Sequence, residues 1–77
     1  MMTEEEWRMR FADKLSYLIQ RRGCTQSEFA EEAGLSEKTL NRYVNGNRTP
    51  KATTLINLAR AFECSLNELI DFGEKID

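Results

Sequence analysis

The middle of the chain concentrates side chains that donate hydrogen bonds. Between Ser36 and Lys51 there are four cations and a single acid, Glu37, so this stretch has a net charge of +3, although the whole chain of 77 residues has a net charge of −2. The cations are Lys38, Arg42, Arg48 and Lys51. The acids are concentrated elsewhere, at residues 4–6, at residues 31–32 and near the C-terminus. One face of the folded protein can therefore be positive while its bulk is acidic.

The residue types that carry out covalent chemistry are scarce. The chain has no histidine, the commonest general base, and its serines and aspartates stand in no nucleophile-elbow or phosphate-loop motif. Cys24 and Cys64 are 40 positions apart without a CxxC spacing, which leaves too few soft ligands for zinc. We therefore expect no enzyme activity, no metal and no cofactor. We expect both cysteines to be small buried hydrophobic residues without a disulfide.

Composition also bounds the class of protein. No apolar run is long enough to span a membrane, and the N-terminal segment MMTEEEWRMRF lacks the apolar core of a signal peptide. Apolar residues make up 40% of the chain, enough for one small ordered domain. We expect this domain to remain in the cytoplasm.

Apolar residues recur at helical spacing along the chain and predict five helices and no strand. Helix 1 is predicted from about Glu4 to Arg22, after a Thr-x-x-Glu capping box at Thr3 and before the helix-ending Gly23. A second Thr-x-x-Glu box at Thr25 opens helix 2. Gly34 is expected to end helix 2 in the left-handed conformation that glycine adopts readily.

The signals for the other three helices are of the same kind. Ser36 is the predicted N-cap of helix 3, and the segment Asn45-Gly46-Asn47 ends it. Thr49 is the predicted N-cap of helix 4, with Pro50 in the first helical turn, where a missing N–H is tolerated. A Ser-x-x-Glu box at Ser65 opens a short helix 5.

Helices 2 and 3 are joined by so few residues that they must cross steeply. Ala30 and Gly34 are small where the two helices would approach each other, and Leu35 and Leu40 can fill the space behind the corner. A corner of this kind occurs in any helical bundle, so Ala-x-x-x-Gly alone is a weak signal. The residues left pointing outward are Gln26, Ser27, Glu37, Lys38, Asn41 and Arg42.

The full pattern is far more specific than the corner alone. It consists of Gln26-x3-Ala30-x3-Gly34-Leu35-Ser36-x3-Leu40, then Tyr43-x2-Gly46-x-Arg48-x-Pro50 and LINLARAFECSLNELI. This pattern resembles the Cro/CI-type helix-turn-helix family, also called XRE-like or lambda repressor-like, over about residues 11–70. The resemblance implies an all-α, compact five-helix domain over residues 1–71, with its helix-turn-helix unit at 25–46 and a C-terminal tail at 72–77 that we expect to be loose from Phe72 onward.

In that family helix 3 lies in the DNA major groove, and helix 2 rests its N-terminus on the DNA backbone. The positions that match the base-reading residues are Glu37, Lys38, Asn41 and Arg42. Lys38 and Arg42 can donate to guanine O6 and N7, and Asn41 can reach adenine or a phosphate. Glu37 could accept from cytosine N4, but an acid in a first helical turn also complements the helix dipole without any DNA.

A second set of positions matches residues that contact the phosphate backbone. These are Gln26, Ser27, Asn45, Arg48 and Lys51. Gln26, with the exposed N–H groups at the start of helix 2, suits an anionic oxygen, although it could also be a surface residue beside a cap. The residues after helix 3 provide flexible cations for the backbone and, in some relatives, the minor groove.

The sequence departs from the family pattern in two places. Val44 occupies a position where the family often carries glutamate, which puts a polar contact at the end of helix 3 in doubt. Helix 1 begins about two turns earlier than in a minimal member, so Trp7 needs a partner. We expect Trp7 to cover the edge of the core, with a dimer contact as the alternative.

The function implied by the resemblance is that of a bacterial or phage DNA-binding regulator/repressor, which represses or modulates transcription by operator occupancy and whose sign of regulation the sequence leaves open. Its partner would be double-stranded DNA with an inverted-repeat operator, bound by a weak homodimer that forms through helix 5 and the tail. The alternative is a protein-interaction module of the same fold, antitoxin-like or inhibitory, which the acidic pI of about 5.2 favours.

Overall fold

The computed structural model describes residues 1–73, and every regular element in this range is an α-helix. The five helices are α1 (Glu4–Arg22), α2 (Gln26–Ala33), α3 (Glu37–Val44), α4 (Ala52–Ala61) and α5 (Leu66–Ile70). The predicted all-α, five-helix architecture is confirmed. The predicted bounds of α1 and the predicted N-cap of α3 are confirmed as well.

Side-chain caps explain why four of the helices begin where they do. The hydroxyls of Thr3, Thr25, Ser36 and Ser65 each accept the backbone N–H three residues further on. A reciprocal capping box forms at Thr25, whose backbone N–H donates to Glu28 Oε1 at 2.9 Å. The other two predicted boxes begin at Thr3 and Ser65. In each of them the glutamate side chain accepts a hydrogen bond from the cap hydroxyl at 3.2 Å.

The predicted start of helix 4 is wrong. Lys51, rather than Thr49, is the N-cap of α4, and it makes no side-chain cap hydrogen bond. The Thr49 hydroxyl is used elsewhere, because it donates to Glu4 Oε1 at 2.9 Å. Pro50 is buried just ahead of the helix rather than lying in its first turn.

All five helices contribute to one hydrophobic core. Its fully buried large side chains are Phe11, Leu15, Phe29, Leu40, Leu58 and Leu69. Phe29 of α2 also stacks on Phe62 after α4, with ring centroids 4.2 Å apart. Burial of each such side chain stabilises the fold by about 1.5–3 kcal/mol. Because α3 packs against both α1 and α2, the core fixes its orientation.

Trp7 covers the edge of this core, as expected. Its indole stacks on Phe11 at a centroid distance of 5.0 Å and meets the ring of Phe72 edge-on at 5.8 Å. The expectation of a loose chain from Phe72 onward is therefore wrong at Phe72. Lys14 Nζ donates to the Asp71 carbonyl at 3.0 Å and holds the same segment against α1. Residues 74–77 of the predicted tail lie outside the described residues.

The cysteines differ from the prediction in their degree of burial. Cys24 and Cys64 are both half-buried, at the margin of the core rather than inside it. Burial raises the pKa of the Cys64 thiol, and the negative charge of Glu68 raises it further. The Cys64 thiol is therefore protonated at neutral pH.

Candidate nucleic-acid interface

The corner between α2 and α3 depends on the backbone conformation of Gly34. Its φ is +74°, its N–H donates to the Glu31 carbonyl, and the next N–H, of Leu35, donates to the Ala30 carbonyl at 2.8 Å. These two bonds form a Schellman motif. A Cβ added at Gly34 would meet nothing within 4 Å. The glycine is thus required by its positive φ and not by the close approach that we expected at this position. Ala30, the other small residue of the predicted crossing, is buried.

The four predicted base-reading residues share one face of α3. Glu37, Lys38, Asn41 and Arg42 are all exposed, whereas Leu40 and Tyr43 on the opposite face are buried. Ser36 caps the helix through the Thr39 N–H, which gives this short helix a defined first turn. The fold therefore presents α3 as an amphipathic helix whose polar face is open to a partner.

Two of the predicted DNA-contacting residues form a hydrogen bond with each other. Asn45 Nδ2 donates to Asn41 Oδ1 at 2.7 Å, across one turn of the helix. This pair joins a predicted base reader to a predicted backbone contact. This hydrogen bond was not predicted, although polar side chains four residues apart on a helix commonly interact.

Gln26 and Ser27 lie in the first turn of α2, where backbone N–H groups lack intrahelical partners. Gln26 is half-buried and Ser27 is exposed. Hydrogen bonds from the backbone and the side chain of Thr25 lower the pKa of Glu28 in the same turn. A carboxylate is therefore already present at this helix N-terminus. This negative charge opposes the binding of a phosphate, and the polar side chains must offset it.

Like α2, helix α3 ends in a Schellman motif. Gly46 has a φ of +73°, and the Asn47 N–H donates to the Arg42 carbonyl at 2.9 Å. Beyond it, Arg48 and Lys51 are exposed, as is Asn45 before it. The predicted phosphate contacts of the segment after α3 are therefore exposed and follow the end of that helix within seven residues.

Residues of α1 contact this segment, which the sequence did not predict. Glu4 and Arg8, four residues apart on α1, form an ion pair at 3.5 Å. The structure adds a hydrogen bond from Arg8 Nε to the Gly46 carbonyl at 3.3 Å. No local signal in the sequence could reveal this bond, because its two residues are 38 positions apart.

Within residues 1–73, every helix is too short or too polar to span a membrane. The same residues contain no group of three or more histidine, cysteine, aspartate or glutamate side chains that could hold a metal ion.

Comparisons with known proteins agree with this geometry. The chain is 31% identical over 61 residues to the competence pilus inhibition repressor of Acinetobacter baylyi, an alignment that covers 79% of this chain and 56% of that protein. The crystal structure of an HTH_3 family transcriptional regulator from Vibrio cholerae superimposes with a TM-score of 0.86 at 24% identity, covering 92% of this chain and 40% of that one. The chain thus spans about half the length of these relatives, or less.

The family model for HTH_3, helix-turn-helix, matches residues 15–69. This match includes the whole of α2, α3 and α4 and most of α5. Because it covers more than half of the chain, it shows that the protein belongs to the HTH_3 helix-turn-helix family, the Cro/CI-type, XRE-like family that its turn residues and helix spacing resemble.

Proposed function

We propose that this chain is a sequence-specific DNA-binding regulator of transcription. The observation that carries the proposal is the exposed polar face of α3, which stands beside the cationic segment that follows it. An α-helix fits the major groove of B-DNA, and the adjacent cations can neutralise phosphates on the flanking backbone. Membership of the helix-turn-helix family supports the same arrangement.

The exposed residues would divide into two roles. Glu37, Lys38, Asn41 and Arg42 read base edges from α3. Gln26, Ser27, Asn45, Arg48 and Lys51 hold the DNA backbone on either side of it. Such a division is typical of protein–DNA interfaces, where backbone contacts fix the register and groove contacts carry the sequence information.

We further propose that the protein acts as a repressor in the cytoplasm by occupying an inverted-repeat operator as a weak homodimer. A relative that is 31% identical, from Acinetobacter baylyi, is called a repressor, and this name supports repression as the sign of regulation. One recognition helix spans only a few base pairs, so two protomers on two half-sites would supply the specificity that one lacks.

The experiment that tests this function is the selection of bound duplexes from a random pool at low salt. We expect an enriched sequence with two-fold symmetry, bound more weakly as the salt concentration rises. If the selected pool remains random and no duplex binds at low salt, the proposed function is wrong.

The acidity of the protein favours a second candidate function. A net charge of −2 repels nucleic acid at long range, so the same fold could instead dock a protein partner, as an antitoxin-like or inhibitory component would. Co-purification of a stoichiometric protein from the native host, without DNA binding, would support this candidate over the first.

A further inference from the structure

The first two turns of α1 contact the α3–α4 loop, which we define as residues 45–51. The contacts begin at Glu4, whose Oε1 accepts the Thr49 hydroxyl at 2.9 Å and lies 3.5 Å from Arg8 Nη1. Arg8 Nε in turn donates to the Gly46 carbonyl at 3.3 Å. One carboxylate and one guanidinium therefore connect α1 to both halves of the loop.

The loop also packs closely on α1. A Cβ added at Gly46 would lie 2.9 Å from Met9 Sδ, 3.6 Å from the Arg8 carbonyl oxygen and 3.7 Å from the Cβ of Ala12. Gly46 thus combines a positive φ with a close approach to α1. The hydrogen bonds and this packing lie within the same short part of the loop.

We propose that Glu4 is a positioning residue for DNA binding, acting through Arg8 and Thr49 to hold the α3–α4 loop in its binding conformation. The inference rests on the proposed function, since the loop carries the predicted phosphate contacts Asn45, Arg48 and Lys51. It assigns a role to the early start of α1, two turns before that of a minimal family member. A loop that is ordered before binding loses less conformational entropy when it meets the DNA.

This role predicts an effect whose sign is opposite to that of simple electrostatics. Glu4 is an acid close to a loop that would approach phosphates, so its removal should strengthen DNA binding if only net charge mattered. If Glu4 positions the loop, its removal should weaken binding, because more loop freedom must be lost on binding. The two accounts can therefore be separated by the direction of one change in affinity.

The matched variants are Glu4→Ala and Glu5→Ala. Both remove one exposed acid from the first turn of α1, and neither the hydrogen bonds nor the ion pairs described for residues 1–73 include one from Glu5 to the loop. We expect Glu4→Ala to weaken binding to the selected duplex by about three- to tenfold. The salt slope should stay unchanged, since no phosphate contact is lost. Glu5→Ala should leave affinity the same or slightly higher.

A second measurement tests the loop in the free protein. We expect amide hydrogen exchange of residues 45–49 and of Lys51 to be faster in Glu4→Ala and in Thr49→Val than in the wild type, with the exchange of the core amides unchanged. The double variant should be about as fast as Glu4→Ala alone, because the contact that Thr49→Val removes is already lost when Glu4 is replaced.

The outcomes separate this inference from the proposed function. If wild-type protein binds no duplex, the proposed function is wrong, whereas the exchange experiment still decides whether Glu4 orders the loop. If Glu4→Ala binds the duplex as well as Glu5→Ala does, or if loop exchange is the same in all variants, the positioning role is overturned.

Discussion

At the scale of single residues, Arg42 and Arg48 are both exposed arginines, and they differ in the element that carries them. Arg42 lies on the polar face of α3, and Arg48 lies in the α3–α4 loop. A guanidinium in the major groove can bond guanine O6 and N7 together, whereas one beside the backbone neutralises a phosphate of any sequence. The same side chain should therefore contribute specificity at one position and general affinity at the other.

We expect Arg42→Ala to cost about 1–3 kcal/mol of binding free energy and to relax the preference for one base pair per half-site. Arg48→Ala should instead weaken binding to all sequences and reduce the log–log salt slope by about one. Fluorescence anisotropy with the selected duplex and its single-base variants, at several salt concentrations, measures both effects. Folding should be nearly unaffected, since both positions are exposed. Identical effects of the two substitutions would contradict the assigned roles.

Glu63 is a non-glycine residue with a φ of +57°, at the end of α4. There it completes a Schellman motif, in which the Cys64 N–H donates to the Ala59 carbonyl at 3.0 Å. An L-residue in this conformation is strained by about 1–2 kcal/mol, and glycine is not. After the larger entropy of an unfolded glycine is subtracted, Glu63→Gly should stabilise the fold by about 0.5–1 kcal/mol. Thermal unfolding measures this change.

The control for that substitution is Glu31→Gly, at an exposed site within α2. Glycine inside a helix costs about 1 kcal/mol, so this variant should melt at a lower temperature than the wild type. A loss of stability in both glycine variants would show that Glu63 is not strained.

At the scale of the helices, the elements that the sequence predicted best are those defined by local signals. The bounds of α1 follow from the Thr3 cap and from Gly23, which has a φ of +78°. The start of α4 was mispredicted because the Thr49 hydroxyl bonds Glu4, 45 positions away. The order of Phe72 was missed for the same reason, since its partner Trp7 lies near the opposite end of the chain. Only the fold brings such residues together.

The candidate site divides in the same way. The exposure of Lys38, Asn41 and Arg42 could be predicted, because helical periodicity places them opposite the apolar residues of α3. The contacts of Arg8 with the α3–α4 loop could not, because they depend on how α1 packs against α3. The sequence therefore predicts which residues of α3 are exposed, but not the hydrogen bond from Arg8 to the α3–α4 loop.

The crossing of α2 and α3 can be tested at Ala30, which is 1% exposed. Ala30→Leu should overpack this position and destabilise the fold by about 1–3 kcal/mol. Ala52→Leu, at the exposed start of α4, is the matched control and should change stability by no more than about 0.5 kcal/mol. Chemical denaturation of both variants measures the difference. If the Ala30 variant is as stable as the control, α2 and α3 do not depend on a close approach at this residue.

At the scale of the whole molecule, size limits how two protomers can meet on DNA. The domain measures 37 × 23 × 22 Å, whereas half-sites one helical turn apart are separated by about 34 Å. Two protomers at that separation approach each other most closely if their longer dimensions point toward each other. A small shared contact would give the proposed homodimer that is weak in solution and stabilised by DNA.

The predicted dimer contact through α5 can be tested at Leu66, an exposed apolar residue at the start of that helix. Leu66→Glu should place a negative charge on each side of a two-fold contact, so we expect at least tenfold weaker binding to a duplex with two half-sites, about 1.4 kcal/mol. Binding to a single half-site should be unchanged.

Gln20→Glu adds the same charge at an exposed position of α1 and serves as the control. Anisotropy and sedimentation on both duplexes distinguish the outcomes. Equal binding of the two variants to the full operator, or a 1:1 complex with wild-type protein, would rule out the α5 dimer, because cooperativity between half-sites requires a contact that the Leu66 charge disrupts.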